Sequence, residues 1–269
     1  MRFAHMSDCH LGSWSNHPDL KELPLAAFEQ AIGTCITERV DFIIIAGDLF
    51  DTALPSVDAT ARAAGLFARC RASSIPVYVV PGSHDYSPTN KTMLTVFEAA
   101  GLLTNVARYE DNGDRIRLDC TVDHKTGTKL VGYFGKKGGL DDHDFERFDI
   151  APLDGFKIFV FHSAIRELNS GSPFSRAVSL NQLPTGFNYY ATGHVHTPLL
   201  DTERMIAFPG PLFPADFHEM EHNADYGFFI VDCNGTVAPH RIRIRVHDTF
   251  VASVDATSKT HDRIEHELR

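Results

Sequence analysis

Apolar positions along this chain switch between continuous runs and helical spacing. Phe3 to Ser7 reads as a first strand, and Pro24 to Arg39 carries Leu25, Phe28, Ile32 and Ile36 one helical turn apart. Asp41-Phe42-Ile43-Ile44-Ile45-Ala46 is then an almost unbroken apolar run, followed by a helix over about Val57 to Ala72, a strand over Ile75 to Val80 and a helix over about Asn90 to Ala100. Uniformly apolar strands separated by helices indicate parallel strands buried on both faces.

From about Asn105 the texture changes and a second strand group begins. Arg115 to Thr121 and Lys129 to Phe134 carry β-branched or alternating residues, Asp141 to Arg147 is an acidic helical stretch, and Phe156 to Phe161 is another apolar strand. Tyr189 to Thr192 follows, and Arg204 to Phe208, Tyr226 to Asp232 and Thr236 to Val246 read as a closing antiparallel set. Together these predict an α/β fold, a two-sheet sandwich flanked by helices. Residues 1–248 form the main domain, and 249–269 open a further small unit with a charged helix around Ile264 and Leu268. The helical faces around Ala59 to Phe67 and Met93 to Leu103 serve either the core or a homodimer surface.

Composition narrows the setting. With 43% hydrophobic residues in 269, the chain has ample material for a core. A net charge of -10 speaks against a generally basic, nucleic-acid-coating protein, though not against a local positive groove. The five cysteines are odd in number and never spaced as C-x-x-C, which points to neither a disulfide framework nor a thiolate zinc site and fits a reducing, cytoplasmic location. No signal peptide and no membrane span are read from the apolar segments.

The chemistry lies in short clusters that each follow an apolar run: Asp8-Cys9-His10, Gly47-Asp48, Gly82-Ser83-His84-Asp85, the lone His162, and Gly193-His194-Val195-His196. Alternating spacing puts Asp8 with His10, and His194 with His196, on one side of an extended segment, with Cys9 facing away. Each cluster also has a plain structural reading: a turn residue at Asp8 and His10, an Asx turn or helix cap at Asp48. Five strand ends delivering carboxylates and imidazoles to one rim, however, predict a two-metal site. Oxygen and nitrogen donors without thiolate lean towards Mn2+, with Fe2+, Zn2+ or Mg2+ as other occupants. Two such cations would activate a hydroxide and clamp the oxygens of an in-line phosphoryl displacement. His84 is the candidate acid and Asp85 the group that orients its imidazole.

Taken in order, D-x-H, G-D-L-F-D, G-S-H-D, a lone histidine and G-H-V-H resemble the calcineurin-like metallophosphoesterase family over about residues 1 to 245. Within it, Ser7 to Gly12, Ala46 to Asp51, Tyr189 to His196 and Phe208-Pro209-Gly210-Pro211 are similar to the DNA-repair nuclease branch called SbcD or Mre-eleven. The resemblance implies a four-layer α/β/β/α sandwich that cleaves DNA phosphodiester bonds as an exo- or endonuclease. It implies that Asp8, His10 and His196 bind one metal, that Ser83, His162 and His194 bind the other, and that Asp48 bridges them. It implies DNA as substrate, a homodimer, and an ATPase partner of the SbcC or Rad-fifty type. The family's pattern also departs here. Ser83 stands where the family has Asn, and Asp51 where some nucleases have a DNA-positioning histidine. The segment 249–269 reads as the start of an incomplete cap domain or as a C-terminal tail. Trp14, His17 and Asp51 are the substrate-contacting candidates, and Lys136 and Lys137 are weaker ones. Two other functions stay open: a small-nucleotide phosphodiesterase or phosphatase, and a partly metallated regulatory scaffold.

Overall fold

The computed structural model describes residues 1–85, 87, 92–135, 143–168, 177–222, 225–250 and 254–268. Strand β1 (Arg2–Met6) leads through α1 (Leu23–Thr37) to β2 (Phe42–Ala46), through α2 (Val57–Ala72) to β3 (Val77–Val80), and through α3 (Met93–Ala99) to β4 (Thr104–Asn105). These four strands run parallel in one sheet. The apolar runs have the predicted cause. Ala4, Met6, Ile43, Ile45, Val77 and Val79 face the helices, while Phe3, Phe42, Ile44, Ala46, Tyr78 and Val80 face the second sheet. Because alternate residues enter two different cores, the fully buried positions of β1, β2 and β3 are apolar with the exception of His5.

The second sheet is built from β7 (Cys120–Val122), β8 (Lys129–Tyr133), β10 (Lys157–His162), β11 (Tyr189–Gly193), β12 (Leu199–Asp201) and β13 (Ile206–Phe208), in the order β12-β13-β11-β10-β8-β7. Its central strands β8, β10, β11 and β13 are parallel. Three strands, β5 (Tyr109–Asp111), β6 (Ile116–Leu118) and β9 (Phe148–Ile150), form a small separate sheet. With the 3-10 turns Asp144–Arg147 and Leu180–Gln182, it lies over the outer face of the second sheet. Two further helices are α4 (Phe217–His222) and α5 (His261–Leu268).

The predicted closing set divides between sheets. Strand β13 pairs parallel with β11, whereas β14 (Gly227–Cys233) and β15 (Val237–Arg243) return to the first sheet, with β14 antiparallel to β1. The exposed side of β1 was the edge available to them, which periodicity within one strand cannot reveal. The third sheet was likewise not legible, since its strands are three residues long. On the two helical faces, Ala59, Ala63, Leu66, Phe67, Leu94, Phe97 and Leu103 are buried in the core, while Val96 stays exposed. Lys136, Lys137 and the first part of the Asp141 to Arg147 stretch lie outside the described residues, as do Asn90 and Lys91 at the start of the expected third helix.

Between the sheets, His5 is fully buried and spans the interface. Its Nδ1 lies 3.0 Å from the Tyr189 hydroxyl and its Nε2 3.1 Å from the Thr192 carbonyl oxygen. The carbonyl can only accept, so Nε2 carries the proton and Nδ1 accepts from the tyrosine. Burial pushes this imidazole down to about 3, below its ordinary 6.5. His5→Ala strands both partners, and we expect urea unfolding to show a loss of about 2–4 kcal/mol. Because the unfolded chain takes up a proton there that the folded chain refuses, the wild type's advantage over His5→Ala shrinks as pH falls from about 6.5 towards 3.

Candidate metal centre

Five loops leave the carboxyl ends of parallel strands β1, β2, β3, β10 and β11 at one end of the sandwich, the place where open α/β sheets present their ligand sites. The first two loops remain stitched together beyond their strands. Asp8 N–H donates to the Gly47 carbonyl at 3.1 Å, His10 N–H to Asp48 at 3.0 Å and Leu11 N–H to Leu49 at 2.9 Å. Within this ribbon Asp8, His10 and Asp48 have φ of 51°, 42° and 50°, and His194 on the fifth loop has 80°. Left-handed backbone is uncommon outside glycine, and Asp and His are among the residues that enter it. Asp8 and His10 are therefore brought together by turned backbone and not by strand alternation, and the same left-handed turn occurs at His194. Cys9 does face away, buried in the helix-side core.

Asp8, Asp48 and His162 are almost wholly buried, and His10 nearly so. The ligand atoms of Asp8, His10 and His196 converge within 4.8 Å of one another, as do those of His10, Asp48 and His84, and those of Asp8, Asp48 and His162. His162 Nδ1 lies 2.8 Å from the Ala46 carbonyl and donates to it, which leaves Nε2 as the nitrogen facing Asp48 Oδ2 at 3.1 Å and Asp8 Oδ1 at 4.0 Å. That Nε2 is buried with no hydrogen-bond partner, and so is His10 Nδ1. The Nε2 atoms of His10 and His196 approach to 3.3 Å. Paired anions, an orphaned imidazole nitrogen and two facing imidazole nitrogens are what a cation would satisfy, so the residues fit a divalent metal.

Two glycines make the crowding possible. A Cβ at Gly47 would sit 2.1 Å from His162 Nδ1, and one at Gly82 would sit 2.2 Å from Asp48 Oδ1. Both positions follow directly from the sequence clusters and explain why glycine precedes each loop.

The charges are mutually arranged. Burial alone would push the carboxyls of Asp8 and Asp48 up, but His196 and His162 around Asp8, and His162 and His10 around Asp48, hold both well below the ordinary carboxylate range. Burial pushes His162 and His196 down, yet the surrounding acids raise them to about 9 and about 10. His194 goes the other way, to about 4, through burial and the neighbouring His162.

Not every candidate stands where it was expected. Ser83 Oγ reaches Asp48 Oδ2 at 3.4 Å. The backbone N–H of His194 donates to Asp8 Oδ1 at 3.0 Å, and its ring packs against His162, outside the three converging trios. Asp85 does not orient the His84 imidazole. Its carboxylate accepts from the backbone N–H groups of Leu49, Phe50 and Gly82 at 3.0–3.1 Å, knitting the second and third loops together. Burial, with Asp48 nearby, pushes it up to about 6. The His84 ring is held instead by the Asp51 carbonyl, 2.8 Å from Nδ1. The Asp51 carboxylate turns inward, 3.3 Å from His10 Nδ1 though off the line of a hydrogen bond. Trp14 is packed: only 8% exposed, it donates from Nε1 to the Pro214 carbonyl at 2.7 Å and meets His17 and Phe217 edge-on. His17 is exposed beside it.

The residue missed entirely is Glu219, on α4, whose carboxylate pairs with His196 Nδ1. The only sequence hint is the Pro209-Gly210-Pro211 turn. Gly210 has φ of 66°, and a Cβ there would lie 2.7 Å from the His196 carbonyl oxygen, so the turn folds back on the histidine before the chain reaches α4.

With that geometry established, comparisons with known proteins give a consistent picture. The family model for calcineurin-like phosphoesterases matches residues 1–198. The chain is 28% identical over 236 residues to the DNA double-strand break repair protein Mre11 of Archaeoglobus fulgidus, covering 81% of this chain and 52% of that protein. It is 25% identical over 274 residues to the uncharacterized metallophosphoesterase YhaO of Bacillus subtilis, covering 96% and 64%. It is 29% identical over 273 residues to the Mre11 of Thermoplasma acidophilum, covering 96% and 69%. The chain thus spans about half to two thirds of the length of these relatives. A dimetal phosphatase from Danio rerio shares the fold, with a TM-score of 0.50 at 12% identity over 86% of this chain and 92% of that one.

Two outcomes follow from this geometry. Gly47→Ala drives a methyl into His162, and equilibrium dialysis should show Mn2+ uptake reduced by at least about tenfold, the lower end of what disturbing a metal shell costs. Since a cation must displace the protons held by His162 and His196, Mn2+ affinity should rise with pH up to about 9, by about tenfold per unit for each proton released. Calorimetry in buffers of different ionisation enthalpy counts those protons.

Proposed function

The chain belongs to the calcineurin-like phosphoesterase family, a family of phosphoester hydrolases, and within it we propose a metal-dependent DNA nuclease of the double-strand-break repair type. The observation that carries this reading is the convergence of Asp8, His10, Asp48, His162 and His196 at one rim, on a chain similar over most of its length to Mre11 proteins. In this reading Asp8, His10 and His196 serve one metal, Ser83, His162 and His194 the other, and Asp48 both. When bound, two divalent cations supply Lewis acidity and a nucleophile at neutral pH.

The protein's own groups do the rest. Asp8 and Asp48 fix the charge of the floor. His162 is locked in one tautomer by Ala46, and Asp85 holds the loops after β2 and β3 in register. His84 is the group positioned to reach substrate: its side chain is 46% exposed, its backbone N–H is tied to Asp48 at 2.8 Å, and the Asp51 carbonyl holds Nδ1. With Nδ1–H committed to the Asp51 carbonyl, Nε2 is the outward nitrogen, and it is from the imidazolium form that it donates to the leaving oxygen of a phosphodiester as charge develops there. His17, with Phe217, lies on the outer side of the same region and serves DNA contact better than Trp14 does. Manganese as the metal, a cytoplasmic setting, a homodimer and a Rad-fifty-type ATPase partner belong to the same proposal. They are supported by the thiolate-free donor set and by the similarity to Mre11 proteins.

One observation favours a second reading. Asp51 and Glu219 add negative charge beside the floor, in a chain of net charge -10, which suits a small nucleotide better than a polyanion. The assay that separates the two offers single- and double-stranded DNA and cyclic nucleotides with Mn2+. We expect DNA cleavage, abolished in Asp48→Ala and lowered about 10²–10⁴-fold in His84→Ala with Mn2+ binding intact. Hydrolysis of cyclic nucleotides with DNA left whole would transfer the assignment to the second reading.

A further inference from the structure

Among the described residues, His196 is the one converging histidine with a carboxylate squarely bonded behind it. Glu219 reaches its Nδ1 while the second carboxylate oxygen accepts the Ala215 N–H at 2.8 Å. The backbone of Glu219 is fixed at both ends as well, its N–H donating to Asp216 Oδ1 at 2.8 Å and its carbonyl accepting the Tyr226 hydroxyl at 2.8 Å. The glutamate is therefore held in place before His196 is considered. A carboxylate bonded at Nδ1 fixes the rotation of the ring and makes Nε2 the nitrogen that faces Asp8 Oδ1 at 3.6 Å and His10 Nε2 at 3.3 Å, the one a cation would take once its proton is displaced. On the opposite side of the centre the corresponding support is weaker. His162 is backed by the neutral Ala46 carbonyl, and Ser83 offers a short hydroxyl already directed at Asp48.

We propose that Glu219 is a positioning residue that orients His196 and makes the Asp8–His10–His196 cluster the tighter of two unequal metal sites. The inference rests on the ligand assignment given above. A carboxylate behind a ligating imidazole fixes its rotation and raises its basicity, and loss of such a partner typically weakens metal binding about 10- to 100-fold. The opposite site, whose His162 has only a neutral carbonyl behind it, fills at higher Mn2+ concentration.

The test needs no nucleic acid and no turnover. Metal-free protein is titrated calorimetrically with Mn2+, and separately with Co2+ while its visible d–d absorption is followed. The wild type is expected to take up metal in two resolved steps. Glu219→Ala weakens the first step by about 10- to 100-fold and leaves the second in place. Glu219→Gln keeps an acceptor oxygen for Nδ1–H, so it lies between the two, and it reports even if the alanine variant fails to fold. The Co2+ band of the first step shifts in the variants, which a glutamate needed only to brace α4 would not cause. Wild-type affinity and an unshifted band in Glu219→Gln overturn the proposal, as does equal weakening of both steps. A wild type that takes up no Mn2+ removes the ligand assignment itself, an outcome distinct from two intact steps that ignore Glu219.

Discussion

The ionised carboxylates of Asp8 and Asp48, carried out of water at the seam where two sheets end, set the terms for everything around them. A carboxylate in such a place is tolerated only when opposite charge or directed donors surround it. Here the donors are backbone N–H groups of His84 and His194 and imidazoles from three different loops. The fold's architecture follows from that requirement. No single loop could supply enough partners, but parallel strands in two facing sheets bring five strand ends to one edge. The apolar interior shared by the sheets then shields those charges from solvent on every side but one.

Much of this was written in the sequence because it obeys simple periodicities. The runs around Ile43 to Ala46 and Val77 to Val80 are apolar at every position because alternate side chains meet different cores, and each run ends in a polar cluster. Order along the chain was enough to gather Asp8, His10, Asp48, His162 and His196. What stayed hidden depends on geometry with no period. Left-handed turns at Asp8, His10, Asp48 and His194 re-aim side chains in ways that residue spacing cannot encode. Asp85, adjacent to His84 in sequence, spends its carboxylate on backbone groups of another loop, since three nearby N–H donors outcompete one imidazole.

Glu219 marks the limit of such reading. It lies 23 residues beyond its histidine, within a short helix otherwise unremarkable in composition, and only the chain reversal at Gly210 brings it near. Trp14 illustrates the converse. As the sole tryptophan, close after a ligand cluster, it invites a role in binding, yet its indole is spent on the Pro214 carbonyl and on packing against the same segment that carries Glu219. A conspicuous residue in the sequence thus turned out to be scaffold, and an inconspicuous one stands at the centre.

The ladder that continues from β1 and β2 into their loops has one more consequence. Asp8, His10 and Leu11 donate in turn to Gly47, Asp48 and Leu49, and Asp51 donates back to Leu11. Loops joined in this way behave as one stiff wall, and neither can swing aside without breaking several bonds to the other. Any breathing that admits a bulky substrate or releases a product must therefore come from the facing side of the mouth, leaving the carboxylates as a fixed anvil against which the rest of the site opens and closes.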